Sequence, residues 1–128
     1  MQRAYRLRRP AEFQRVRAGK RSWGHKLLVL YAAPNDGRPT RVGISVGKHV
    51  GNAVVRNTIK RRVREAVRPR HAELQSGHDL VFIARAPSAR AAWPVLRDAV
   101  EDLLRRARVL PRASGGTRPE AGRPVVDA

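Results

Sequence analysis

The chain has 128 residues, enough for one domain with one modest core. It carries 28 Lys and Arg against 10 Asp and Glu, a formal net charge of +18, and it has no Cys. Disulfides, thiolate metal sites and Cys nucleophiles are thereby excluded, which fits a reducing cytoplasm; no apolar run approaches the ~20 residues that span a bilayer; and the charge excess calls for a polyanionic partner, whether nucleic acid, an anionic membrane surface or an acidic protein.

Residues 1–9 read as a basic arm, without the apolar stretch of a secretory signal. Pro10 suits the first position of a helix, Phe13 and Val16 share a face with Leu7, and Gly19 can end it. A short strand is expected near Ser22–Lys26. Residues 27–33, LLVLYAA, read as a buried strand, and PNDGRP at 34–39 as a turn. Residues 41–47, RVGISVG, alternate: Val42, Ile44 and Val46 point one way, Arg41, Gly43, Ser45 and Gly47 the other. That pattern predicts a half-buried strand, paired with its predecessor in a two-strand meander.

The next helix is predicted over 53–68, capped by Asn52 and stopped by Pro69. Gly77 marks a turn, and DLVFIAR at 79–85 a third clear strand. Ser88 or Trp93-Pro94 opens a last helix, on which Leu96, Ala99, Val100, Leu103, Leu104 and Ala107 form an amphipathic stripe. Residues 111–128, rich in Pro, Gly and small polar residues, read as a disordered tail. The order predicts an α+β domain over 10–110, a sheet layered with helices.

The charge is unevenly placed: residues 1–70 hold 19 basic and 3 acidic residues, and 71–128 hold 9 and 7. The binding surface is therefore expected in the first half. Arg supplies 24 of the 28 cations. Its planar fork grips phosphate bidentately and stacks on bases, although a G+C-rich genome would produce the same bias.

The helix over 53–68 divides into faces. At ~100° per residue, with Arg56 at zero, Lys60 falls near ~40°, Arg64 near ~80°, Asn57 near ~100°, Arg68 near ~120° and Arg61 near ~140°. Val55, Ile59, Val63, Ala66 and Val67 occupy a separate apolar arc, and Arg62 a third side. A solvated helix face normally mixes signs to gain i, i+4 pairs. Here Glu65 is the sole acid, and Arg56, Lys60, Arg64 and Arg68 repel one another. Such a ladder suits successive phosphates, with affinity drawn from counterion release. Upstream, the glycine-bearing loop with Lys48 leads to a helix N-terminus that favours phosphate, but it lacks the spacing of a nucleotide-binding P-loop.

Other chemistry is thin. His25, His49, His71 and His78 show no ligand spacing, and no nucleophile–base arrangement stands out. No catalytic or metal-ligating residue is therefore assigned. Trp23 and Trp93 read as packing residues.

The stretch RVGISVGKHVGNAVVRNTIKRRVREAVR resembles the signature of the bacterial ribonuclease P protein family, G-x-S-V-x-K-x-x-G-N-A-V-x-R-N-x-x-K-R-x-x-R. Gly43, Ser45, Val46, Lys48, Gly51, Asn52, Ala53, Val54, Arg56, Asn57, Lys60, Arg61 and Arg64 match it. RLRRPAEFQRVRAGKR, LLVLY, DLVFIARAP and WPVLRDAVEDLLRR resemble the family's other elements, so the likeness runs over about residues 5–108.

The resemblance implies an αβββαβα fold, similar to the second domain of ribosomal protein S5, with a left-handed β-α-β crossover against the usual hand. It implies a subunit of an endoribonuclease that removes the 5′ leader of precursor tRNA. Mg²⁺ bound by the RNA subunit and substrate performs the hydrolysis. The partners implied are the catalytic RNA and precursor tRNA, in the cytoplasm, with no membrane or small-molecule substrate.

By position, Lys48, Asn52, Arg56, Asn57, Lys60, Arg61, Arg64 and Arg68 would meet RNA. A leader cleft would use Phe13, Val16, Arg17, Leu28, Tyr31, Ile44 and Val46. Arg17 and Leu28 stand where relatives often carry aromatics, so leader contacts are expected to lean on Arg stacking and phosphate pairing. Three rivals have their own signatures. A structural RNA-binding protein would lack the motif, and a stand-alone nuclease would show a carboxylate cluster or His pair. A membrane-surface protein would carry a bulkier apolar helix face.

Overall fold

The computed structural model describes residues 5–19 and 21–110. The first four residues of the expected arm and the expected tail, 111–128, lie outside the described residues. In chain order the elements are α1 (Pro10–Ala18), β1 (Ser22–Gly24), β2 (Leu28–Pro34), β3 (Arg41–Val46), α2 (Ala53–Val67), β4 (His78–Ala84) and α3 (Trp93–Arg106). Short 3-10 turns occupy Lys48–Val50, Arg68–Glu73 and Ala86–Arg90. The αβββαβα order is the expected one.

Local chemistry explains the helix ends. Pro10 opens α1, and the Glu12 carboxylate accepts the Arg9 N–H at 3.4 Å. Asn52 caps α2, its Oδ1 accepting the Val55 N–H at 3.0 Å. Pro69 does not stop the chain's helical path outright. It sits in the first turn of the 3-10 segment that follows α2, where its missing N–H leaves nothing unpaired.

The four strands form one sheet in the order β1-β2-β4-β3. The expected β2–β3 meander is corrected here, because β4 lies between the two. It pairs antiparallel with β2, Phe82 opposite Leu30, and parallel with β3, Phe82 opposite Ile44. Strands buried on both faces take central places. β2 and β4 are the most apolar, whereas β3, with Arg41, Gly43 and Ser45, takes an edge. A parallel β3–β4 pair needs a crossover, and α2 supplies it.

The sheet is covered unequally. On one face Leu28, Leu30, Ile44, Val46, Leu80 and Phe82 form the main core with Ile59, Val63, Ala66 and Val67 of α2 and Leu96, Val100, Leu103 and Leu104 of α3. On the other, α1 makes a smaller core from Leu7, Val16, Ala33 and Val81, with Phe13, Tyr31 and Ile83 half-buried around it.

Charge locks α1 to that second face. Asp79, fully buried on β4, accepts hydrogen bonds from Arg15 of α1, from Arg41 Nη2 at 2.8 Å and from Asn35 Nδ2 at 3.0 Å. Arg41 also reaches Glu12 of α1 at 3.0 Å. Burial alone would raise the Asp79 carboxyl. The hydrogen bonds from Arg41 and Asn35, with the Arg41 and Arg15 charges, outweigh it and hold the carboxyl below its ordinary value. Residues 5–7 also belong to this assembly: Leu7 is buried, and its N–H donates to the Val42 carbonyl at 2.9 Å.

Candidate nucleic-acid interface

α2 divides into an apolar face and a cationic one. Ile59, Val63, Ala66 and Val67 are buried, and Val55 packs against the same core. Asn57, Arg61 and Arg68 are exposed, while Arg56, Lys60 and Arg64 are half-buried. Arg56 Nε donates to the Gly51 carbonyl at 3.1 Å, which fixes the root of the ladder to the loop before the helix. Arg62, on the third side, reaches the Ala91 carbonyl at 3.4 Å.

Among the described residues, ion pairing on α2 is confined to Arg68 with Glu65, 2.7 Å apart and exposed. A pair of that kind is worth little. Lys60, Arg61 and Arg64 have no acidic partner among the described residues. Burial, and then the nearby Arg6 charge, push the Arg64 guanidinium below its ordinary value. It still remains protonated at any physiological pH.

The uncovered part of the sheet is the second element of the site. Strand register sets Tyr31, Val81 and Gly43 in one row and Val29, Ile83 and Ser45 in the next. Helix α1 covers the first row, where the Phe13 ring rests on Gly43. A Cβ at Gly43 would lie 2.6 Å from Phe13 Cζ and 3.0 Å from Leu7 Cβ, so this close approach requires glycine. The second row is half-exposed. The Arg17 guanidinium stands over the Tyr31 ring, 5.7 Å from its centroid. Val29, Ile83 and Ser45 thus form a half-exposed strip of sheet beside Phe13, Arg17 and Tyr31. Lys48 and Asn52, both exposed, lie between the end of β3 and the start of α2.

Four expected cleft residues are corrected. Leu28, Ile44 and Val46 lie on the opposite face of the sheet, in the core beneath α2 and α3. Strand alternation puts them with Leu30 and Phe82, not with Tyr31. Val16 faces the cleft side but is fully buried under its own helix. The sequence reading missed Val29 and Ile83 in this strip. The signal for Val29 was present, two positions before Tyr31 and hence on its side of the strand. The same alternation places Ser45 opposite Ile44.

Among the described residues no group of three or more His, Asp or Glu is placed to hold a metal ion. His25 Nδ1 accepts the Leu27 N–H at 3.0 Å, and the His71 ring lies against Tyr5. Trp23 is buried and Trp93 packs against the main core, as expected of packing residues. No helix among the described residues is long and apolar enough to cross a membrane.

A cationic helix with little internal neutralisation, set beside a half-covered sheet face, defines a small basic α+β protein suited to a polyanionic partner. The family model for Ribonuclease P matches residues 1–108, and the chain belongs to the ribonuclease P protein family. It is 51% identical over 118 residues to the ribonuclease P protein component of Roseiflexus castenholzii, covering 91% of this chain and 97% of that one. It is 48% identical over 109 residues to that of Herpetosiphon aurantiacus, covering 85% and 89%. Its fold is similar to the Staphylococcus aureus RNase P protein, with a TM-score of 0.79 at 34% identity over 85% of this chain and all of that one. It is similar also to the Thermotoga maritima protein, with a TM-score of 0.72 at 30% identity over 79% and 96%. Membership carries a ribonuclease role in tRNA processing and a partnership with the ribonuclease P RNA.

Proposed function

We propose that this chain is the protein subunit of a cytoplasmic ribonucleoprotein that removes the 5′ leader from precursor tRNA. In this reading the α2 ladder seats on the catalytic RNA, and the cleft beside α1 holds the single-stranded leader. The observation that carries it is the run of Lys60, Arg61 and Arg64, which lack acidic partners among the described residues, on a helix whose other face is core. Mg²⁺ held by the RNA and the substrate supplies the hydrolytic chemistry. The protein's own residues bind and orient: Arg56, Asn57, Lys60, Arg61, Arg64 and Arg68 grip phosphates, while Lys48 and Asn52 meet the strand where it leaves the cleft.

Leader recognition in this scheme is tolerant of sequence. The floor is aliphatic, the Tyr31 face offers stacking to any base, and Arg17 offers stacking or a phosphate contact. Tyr31→Ala is expected to weaken binding of precursor tRNA to the reconstituted holoenzyme by about 1–3 kcal/mol. Binding of mature tRNA should not change. Equilibrium binding of both RNAs checks this, and an equal loss for both, or no loss for either, removes the cleft assignment.

A further inference from the structure

Tyr5, Arg6 and Leu7 run beside β3, apart from the α2 ladder. Leu7 is tied to β3 through its N–H to the Val42 carbonyl at 2.9 Å, and Arg6 bridges in parallel with Val42. Tyr5 is tied to a different element. Its ring lies against His71, with centroids 4.5 Å apart and planes 36° apart, in the 3-10 turn that follows α2. His71 is itself held, with Nε2 3.0 Å from the Thr40 carbonyl oxygen. Arg6 is therefore fixed between two tethers, one on the β3 edge and one beyond the end of α2. That places it beside the last turns of the helix, where Arg64 stands.

Both residues are half-buried. Neither has an ion pair among the described residues; the nearest acid on α2, Glu65, is taken by Arg68. Backbone pairing and ring contact thus fix Arg6 near the end of α2, where its charge is felt at Arg64. Their mutual repulsion contributes to the lowered proton affinity of Arg64. In the free protein this arrangement costs stability. It becomes favourable when an anion sits between the two forks, because each can donate charge-assisted hydrogen bonds to phosphate oxygens.

We propose that Arg6 and Arg64 form a clamp on a single backbone phosphate of the ribonuclease P RNA, with Tyr5 on His71 as its latch. The clamp rests on the reading that α2 faces that RNA. It extends the RNA-binding surface from one helix to the N-terminal segment, which composition alone had marked only as a basic arm.

The test is equilibrium binding of the full chain to ribonuclease P RNA across a salt series, with thermal unfolding of each free protein alongside. Arg6→Gln and Arg64→Gln should each weaken binding by about tenfold. Each should also reduce the slope of log affinity against log salt by about one. Because both cations serve one phosphate, the double variant should lose less than the product of the two single losses. Tyr5→Ala, which removes no charge, should weaken binding in the same direction. Arg6→Gln should unfold at the same temperature as the parent or higher, since repulsion is relieved.

If Arg6→Gln binds as the parent does while Arg64→Gln is impaired, the clamp is wrong and the α2 reading stands. Losses that multiply independently would mean separate phosphates and would also overturn it. A lower unfolding temperature for Arg6→Gln would make Arg6 structural. If neither Arg61→Gln nor Arg64→Gln weakens binding, it is the α2 reading that fails.

Discussion

Reversing two charges on α2, Arg61→Glu together with Arg64→Glu, is expected to weaken binding to the ribonuclease P RNA by a hundredfold or more, on the order of two lost charge-assisted contacts. The slope of log affinity against log salt should fall by about two. Folding should be little affected. Arg61 is exposed, Arg64 lies off the apolar face, and neither makes an ion pair among the described residues. A glutamate at position 64 would even meet Arg6 as an opposite charge. Salt-dependent binding and thermal unfolding of the same variant separate the two effects. An unfolded double variant would mean that this face packs against protein rather than RNA.

The second large effect concerns stability. Asp79→Ala removes the buried carboxylate that holds Arg15, Arg41 and Asn35 together. Breaking one side of a buried ion pair typically costs about 3–5 kcal/mol. Arg15 is 46% exposed in its side chain and can recover hydration, so the lower end of about 3 kcal/mol is expected here. Because α1 carries Phe13 and Arg17, the surviving folded protein should also bind the leader less well.

The Asp79 carboxyl lies below its ordinary value near 3.8 in the folded chain. Its contribution is therefore fully present above that value and is lost as pH falls through the lower, folded one. The parent should lose stability steeply below about pH 4, and Asp79→Asn should show a flatter acid limb. Denaturant unfolding across pH 2–7 checks both, and parallel curves would deny Asp79 this role.

Most of the elements could be read from the sequence because they rest on local rules. The LLVLYAA run, the alternation of RVGISVG, the Asn52 cap and the 3.6-residue stripe from Leu96 to Ala107 each depend on neighbours in the chain. The α2 faces were legible for the same reason: Ile59, Val63, Ala66 and Val67 are all buried. Sheet order was not legible, since placing β4 between β2 and β3 is a non-local choice, made when the two most apolar strands seek the centre.

Three of the four errors in the cleft share one origin; Val16 lies on the right side but is buried beneath α1. Alternation separates Tyr31 from Leu28 and Leu30, but it does not say which face two helices cover and which is left half-open. Leu28, Ile44 and Val46 were assigned to the open face, whereas α2 and α3 cover theirs. The α1 lock around Asp79 escaped for a similar reason. Arg15, Arg41, Asn35 and Asp79 are distant in sequence, and only the fold brings them together.

The most direct test of the central claim is cleavage of precursor tRNA by the protein alone, by ribonuclease P RNA alone and by the two together at low Mg²⁺. No cleavage is expected from rigorously RNA-free protein. Adding that protein to the RNA should restore cleavage at an Mg²⁺ concentration where the RNA alone is slow, with precursor tRNA bound more tightly than mature tRNA. Cleavage by the RNA-free protein, or no stimulation of the RNA, would contradict it.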